Sequence, residues 1–173
     1  MQLITKASVI FAILLAAPAV AATPVADAVP AFLGEQGFTA FKLTKLPTGH
    51  ETITVTINGQ SGTFVVDSGA GRTVVRHDRL AKFGLAPATD AQQGAGAGGS
   101  IAITSHPITS FALDNRAVPL PVVYGTNLDS VAARLKAATG VEIDGVVGQD
   151  VLSGYAAIIN IGTSELYLKL PAG

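Results

Sequence analysis

The motif Asp67-Ser68-Gly69-Ala70 places a carboxylate, a group suited to acid–base chemistry, at the end of a hydrophobic segment. Asp67 follows the hydrophobic segment 63–66 and precedes Ser68, Gly69 and Ala70, so its carboxylate lies at the start of a turn without bulky side chains. Taken alone, Asp-Ser-Gly is a common turn in which Asp and Ser bond to their own backbone. The segments on either side of the motif decide which interpretation applies.

The segments before Asp67 predict a β-hairpin. Glu51–Ile57 alternates polar and apolar residues, which places Ile53, Val55 and Ile57 on one face of a strand. Asn58-Gly59 is typical of a type I′ turn, because both residues tolerate a positive φ. Gln60–Val66 should therefore fold back as the partner strand and deliver Asp67 at its end.

The remaining segments predict a mainly β domain with two short helices. One helix covers His77–Phe83 and ends at Gly84, and the other covers 129–138 and is stopped by Gly140. A glycine-rich loop spans 94–99. Further strands are predicted at 38–46, 101–105, 107–113, 118–124, 143–147, 156–161 and 165–170, with a final turn at 162–164.

From about residue 51 to 168, this order of segments resembles the single-domain, retroviral-type (retropepsin-like) aspartic proteases and their bacterial relatives. The quoted motifs are Asp67-Ser68-Gly69-Ala70, Thr73-Val74-Val75, the glycine-rich loop, and Asp144 to Leu152. The resemblance implies a closed, antiparallel β-barrel-like fold in which Val146-Val147-Gly148 crosses beneath the active-site loop. It also implies a substrate-binding flap around residues 94–100, which contains Gly94, Gly96, Gly98 and Gly99.

The resemblance further implies that Asp67 is catalytic and that the enzyme is a homodimer. The chain has one such motif, so the second carboxylate would come from Asp67 of a second copy. Ser68 resembles the hydroxyl residue that bonds across the dimer axis, and Gly69 the backbone that receives substrate. Such a pair hydrolyses peptide bonds with an activated water and needs no cofactor and no metal.

Two positions depart from the retroviral pattern. The family's two acidic residues after the alanine are replaced by Gly71 and Arg72, which puts peptide binding of the viral kind in doubt. Arg72 either pairs with Asp150 as a structural bridge or meets a substrate carboxylate. Asp144 and Asp150 could be second acids, but a turn or helix-cap role is the better interpretation.

Composition excludes several other functions. Eleven Lys and Arg against twelve Asp and Glu give a formal net charge of −1, which argues against nucleic acid as a partner, and the absence of cysteine excludes disulfides and thiolate chemistry. The glycine loop lacks the strand and helix of a dinucleotide site, and Val66 stands where a serine-hydrolase elbow needs glycine. His50, His77 and His106 have no metal-binding spacing and are interpreted as surface residues.

The first residues predict export. Lys6 precedes an apolar run at 7–17, and Ala19-Val20-Ala21 is a small-residue site for signal peptidase, so 1–21 is interpreted as a signal peptide rather than as a membrane anchor. Residues 22–37, rich in Ala, Pro and Gly, then form a flexible arm before a domain at 38–173. The expected product is periplasmic or secreted, with no membrane contact after cleavage.

Taken together, the sequence predicts an aspartic endopeptidase acting on peptide or protein substrates. The alternative is a non-catalytic exported module of the same fold that binds a peptide or partner in its groove. A simple structural β domain is a third interpretation.

Overall fold

The computed structural model describes residues 25–86, 91–96 and 99–171. In chain order the elements are α1 (Val25–Glu35), β1 (Thr39–Lys42), β2 (Thr44–Lys45), β3 (Glu51–Ile57), β4 (Gln60–Val66), β5 (Val74–Arg76), a 3₁₀ helix (His77–Phe83), β6 (Gln92–Gly96), β7 (Gly99–Pro107), β8 (Phe111–Leu113), β9 (Arg116–Ala117), β10 (Val122–Thr126), α2 (Asp129–Thr139), β11 (Gly145–Val147), α3 (Gln149–Leu152), β12 (Ile158–Asn160) and β13 (Glu165–Leu168). The protein is therefore mainly β, as predicted.

The strands form two sheets. A ten-stranded sheet has the order β6-β7-β10-β5-β11-β4-β3-β8-β9, with β2 paired to β3, and a three-stranded sheet has the order β1-β13-β12. The predicted closed antiparallel barrel is wrong: within the described chain the large sheet ends at β6 and β9, which do not pair. Closure needs the first and last strands to meet at a compatible tilt and stagger, and here a glycine-rich hairpin and a two-residue strand form the two edges.

The large sheet is also not purely antiparallel. β10 lies parallel to β5, and β11 lies parallel to β4. Parallel neighbours need a crossover connection instead of a tight turn. The hairpin signals in the sequence could not reveal these two pairings.

Local turn chemistry is realised as the sequence predicts. Asn58 and Gly59 have φ of 51° and 81°, and β3 and β4 pair in register from Ile57↔Gln60 onward. The two predicted helices are present, the first as a 3₁₀ helix, and they end at Gly84 and Gly140 with φ of 67° and 74°. Gly at these positions adopts the left-handed conformation without a steric cost.

The core lies against the inner face of the large sheet. Ile53, Val55 and Ile57 are buried, as their alternation predicts. Phe64 of β4 packs edge to face on Phe83 of the 3₁₀ helix, with ring centroids 5.8 Å apart. This contact fixes the 3₁₀ helix against the strand that leads to Asp67.

A helix at the N-terminal side was not predicted. The arm interpreted as lacking regular structure contains α1, whose Leu33 is buried although Pro30 lies inside the helix. The turn that follows α1 is closed by a hydrogen bond that Phe38 N–H donates to Leu33 O. Among the α1 side chains whose burial is described, Leu33 is the buried one, so its Ala-, Pro- and Gly-rich sequence shows no apolar period. Residues 1–24, which include the predicted signal peptide, lie outside the described residues.

Membrane crossing by a helix finds no support in the described residues, since no helix there is both long and apolar enough.

Candidate active site

Three strands position the Asp67 loop. β11 lies between β4 and β5, parallel to the first with Val147↔Val66 and antiparallel to the second with Gly145↔Val75. The loop 67–73 joins β4 to β5 and therefore spans the end of β11. Asp67 N–H donates to Val147 O at 3.1 Å, which ties the start of the loop to the crossing strand. Val146-Val147-Gly148 thus lies where the resemblance implies.

Gly148 allows the chain to pass directly under this loop. A Cβ there would lie 2.3 Å from Arg72 O and 2.7 Å from Ala70 O, both backbone atoms that cannot move aside cheaply. The close approach lets Gln149 N–H donate to Ala70 O at 2.8 Å. A glycine is therefore required at this position for steric reasons.

The Asp67 carboxylate is exposed and held in one orientation. Its Oδ1 accepts the Gly69 N–H at 2.8 Å, and its backbone carbonyl accepts Ala70 N–H at 3.2 Å. The described residues provide no partner for its Oδ2. The turn role and the functional role of Asp-Ser-Gly are therefore compatible, because the turn presents one carboxylate oxygen for other contacts.

Helix α3 holds the main chain of the loop from the other side. The Gln149 side chain donates through Nε2 to Ser68 O at 2.6 Å, and its Oε1 is hydrogen-bonded to the hydroxyl of Ser153. This helix was not predicted, since four residues are too few to show a period. Its contacts mean that Ser68, Gly69 and Ala70 form a supported turn.

Thr73 and Asp150 lock the end of the loop. Thr73 is fully buried, and both its N–H and its hydroxyl donate to the Asp150 carboxylate, at 2.9 Å and 2.7 Å. Gly148 N–H donates to Thr73 Oγ1 at 3.2 Å. Asp150 also accepts Val151 N–H in the first turn of α3, so its role is structural.

The suggested bridge between Arg72 and Asp150 is not observed. The Arg72 guanidinium lies instead over the Tyr124 ring, 5.4 Å from its centroid, a distance at which a cation–π contact forms. The Asp150 oxygens are engaged by Thr73 and Val151. Asp144 is engaged as well: it is buried and accepts bonds from Thr63 N–H and from Lys82 Nζ, at 3.0 Å and 2.9 Å.

The predicted flap is a β-hairpin. β6 and β7 pair antiparallel from Gln92↔Ile103 to Gly96↔Gly99. Gly94 lies against the Ile103 side chain, since an added Cβ would come within 2.2 Å of its Cδ1. Gly98 lies outside the described residues. Substrate contact by these glycines stays a prediction.

Of the three histidines, His106 corrects the sequence interpretation. His50 and His77 are exposed, but His106 is buried, with Nε2 2.8 Å from Thr104 Oγ1. Burial lowers its pKa, and the nearby His77 adds to this, against the opposing effect of a hydrogen bond to the Ala86 backbone. The polar pair faces inward because Gly125 leaves room for it: a Cβ there would lie 2.6 Å from Thr104 Oγ1.

Two hollows border the loop. A cavity of about 90 Å³ is lined by Asp67 together with residues of β4, β11 and α2, and Asp67 is the one carboxylate among its described lining residues. On another side a hollow of about 330 Å³ is lined by Ser68, Gln149 and Ile159 among others. The site therefore combines an exposed, oriented carboxylate with adjacent space.

Comparison with known proteins agrees with this geometry. The aspartyl protease family matches residues 53–151, more than half of the chain, and the chain belongs to that family. Among solved structures, a retropepsin-like aspartic protease from Rickettsia conorii is similar, with a TM-score of 0.51 and 16% identity over 76% of this chain and 90% of that one. This likeness shows a retropepsin-like fold. No curated protein matches the chain.

Proposed function

We propose that the chain is an aspartic endopeptidase that hydrolyses peptide bonds with a water activated by two Asp67 carboxylates, one from each subunit of a homodimer. The observation that supports this most is that loop 67–73 carries one carboxylate, Asp67, whose Oδ2 has no partner among the described residues. Asp144 and Asp150, the other acids considered as candidates from the sequence, are engaged with Lys82 and Thr73. This supports a second copy of the chain as the source of the second carboxylate.

The chemistry requires the pair. Two carboxylates about 3 Å apart cannot both ionise at low cost, so they share one proton and titrate as a unit. The ionised oxygen takes a proton from the water while the protonated one polarises the substrate carbonyl, without a covalent intermediate. The hydrogen bond from Gly69 N–H to Asp67 Oδ1 keeps the carboxylate oriented for this task.

An apolar surface next to the loop suits a second subunit. Ile158 and Ile161 are large hydrophobic residues that are 39% and 68% exposed, and Ile159, between them in sequence, lines the cavity that Ser68 also lines. β1 and β12 are the edges of the three-stranded sheet, and no strand of the described residues pairs with their outer sides. Exposed strand edges and apolar side chains favour pairing between copies.

Export completes the proposal. The positive residue, the apolar run and the small-residue site occur in the order that signal peptidase uses, so the mature protein begins at Ala22 or Thr23 and works in the periplasm or outside the cell. N-terminal sequencing of exported protein tests this step. Recovery of Met1 or Lys6 on exported protein would contradict it.

The test of activity is cleavage of a peptide library by the mature protein. Asp67→Asn keeps the shape of the side chain but cannot take the shared charge, so we expect cleavage to be lost while thermal stability stays similar or rises. Asp114→Asn, at an exposed turn remote from the loop, is the matched control and should cleave normally. Activity should favour acidic pH, rise more than linearly with protein concentration, and survive chelators.

Cleavage by Asp67→Asn at the wild-type rate would refute the mechanism. A wild-type protein that stays monomeric at every concentration would do the same, and the non-catalytic binding module would take its place.

A further inference from the structure

Helix α2 covers the strand face beside Asp67. Val65 and Asp67 are two residues apart and both line the 90 Å³ cavity, and Val146 pairs with Val65 on the neighbouring strand. Leu135 of α2 packs in one apolar cluster with Val65 and Val146. The helix lies in the connection between β10 and β11, the two strands that flank β5, so this connection also supplies one wall of the cavity.

Contacts at both ends of the segment 129–143 hold α2, the wall of the cavity, in place. The Arg76 guanidinium donates to Ile143 O at 3.0 Å and lies 3.8 Å from the Asp129 carboxylate at the start of α2. The same guanidinium also forms an ion pair with Asp78, whose Oδ2 lies 2.8 Å from Arg76 Nη2. Because Arg76 is the last residue of β5, these contacts attach α2 to the central strands. The cavity is therefore preformed rather than created by a moving segment.

The cavity has the lining and the size of a side-chain pocket. Leu128, just before α2, and Val131, Ala132 and Leu135 of α2 make one side of it apolar, and its polar lining residues are His50, Asp67 and Arg76. Its volume of about 90 Å³ exceeds what one water needs, yet it is smaller than the roughly 150 Å³ cavity that accommodates a benzene ring. This volume favours an aliphatic side chain over an aromatic ring.

We infer that α2 determines substrate specificity: its buried face forms the pocket for a substrate side chain next to the scissile bond and selects aliphatic over aromatic residues. This rests on the proposed function, because it needs peptide bound across Asp67. In an apolar pocket, one or a few methylene groups too many or too few change kcat/KM by about tenfold or more. We therefore expect at least that preference for a leucine over a phenylalanine substrate.

Two variants change the pocket in opposite directions. Ala132 is buried and points into it, so Ala132→Leu should lower kcat/KM for the leucine substrate by about tenfold or more and leave an alanine substrate nearly unchanged. Val131 lines the pocket but is 52% exposed, so Val131→Ala widens it at little cost in stability and should raise cleavage of the phenylalanine substrate. Ala133→Leu, on the exposed side of α2, is the matched control and should change none of the three.

The substrates are three peptides of identical sequence, with alanine, leucine or phenylalanine next to the cleaved bond, and Asp67→Asn is assayed on the same series. If Asp67→Asn is inactive but Ala132→Leu changes all three substrates equally or none, the pocket assignment is wrong and the protease function stands. If Asp67→Asn cleaves like wild type, the protease mechanism fails.

Binding tests the pocket without turnover. The probes are two non-hydrolysable peptides in which a hydroxyl-bearing group replaces the scissile amide, with either a leucine or a phenylalanine side chain beside it. Calorimetry should show the leucine analogue binding about tenfold tighter to the wild type, and Ala132→Leu should remove that difference. Equal affinities for the two analogues, or no binding of either, would overturn the assignment of α2.

Discussion

Replacing Thr73 with valine should destabilise the protein more than replacing it with serine. Thr73 is fully buried, its hydroxyl donates to Asp150 at 2.7 Å, and the same oxygen accepts Gly148 N–H at 3.2 Å. Valine has nearly the same shape but neither donates nor accepts. The substitution therefore removes two contacts of the active-site loop, the hydrogen bond to Asp150 and the one from Gly148 N–H.

The size of the effect follows from these two bonds. A hydrogen bond to a charged group contributes about 1.5–3 kcal/mol, but Asp150 keeps the N–H groups of Thr73 and Val151, so the lower end of that range applies. Leaving the buried Gly148 N–H unpaired costs about 1–3 kcal/mol more. We expect a loss of about 3 kcal/mol in the free energy of unfolding, equivalent to roughly 10 °C in Tm for a domain of this size.

Urea unfolding of both variants measures this loss. Thr73→Ser removes one buried methyl group, which costs about 1 kcal/mol, and keeps both hydrogen bonds. A valine variant as stable as the serine variant would refute the claim that this hydroxyl holds the loop.

Two further perturbations test the packing under the loop and the buried histidine. Gly148→Ala should prevent folding or lower the free energy of unfolding by more than about 3 kcal/mol, because its Cβ would lie 2.3 Å from Arg72 O. Gly71→Ala, with no atom within 4 Å of the added Cβ, is the control and should be tolerated. Soluble yield and Tm of the two variants measure the difference. Because burial lowers the pKa of His106, the unfolded chain binds its proton more readily, so stability should fall as pH drops below about 6.5; unfolding scans across pH should show this dependence flattened in His106→Gln, and an unchanged slope would contradict it.

Features set by neighbouring residues could be predicted from the sequence. The positive φ values at Asn58 and Gly59 are properties of those residues, and they fix the hairpin that ends at Asp67. Gly84 and Gly140 mark the helix ends for the same reason. The Asp-Ser-Gly-Ala motif and its order relative to Val146-Val147-Gly148 indicated the family correctly, and their roles in catalysis stay a prediction.

Features set by distant residues could not be predicted in this way. The insertion of β11 between β4 and β5 joins residues far apart in the chain, and no local pattern shows which strands become neighbours. His106 was interpreted as a surface residue because its inward position depends on the space left at Gly125. The packing of α2 beside Asp67 depends likewise on Val65 and Val146, whose alternation shows that a face is covered but not by what.

The most direct test of the two-subunit mechanism is mixing wild-type protein with Asp67→Asn at a fixed total concentration well above that needed for dimer formation. If each active site needs Asp67 from both chains, heterodimers are inactive and activity follows the square of the wild-type fraction, so an equal mixture keeps about a quarter of full activity. Activity that falls in simple proportion to the wild-type fraction, to about half in the equal mixture, would show that one chain suffices and would contradict the mechanism.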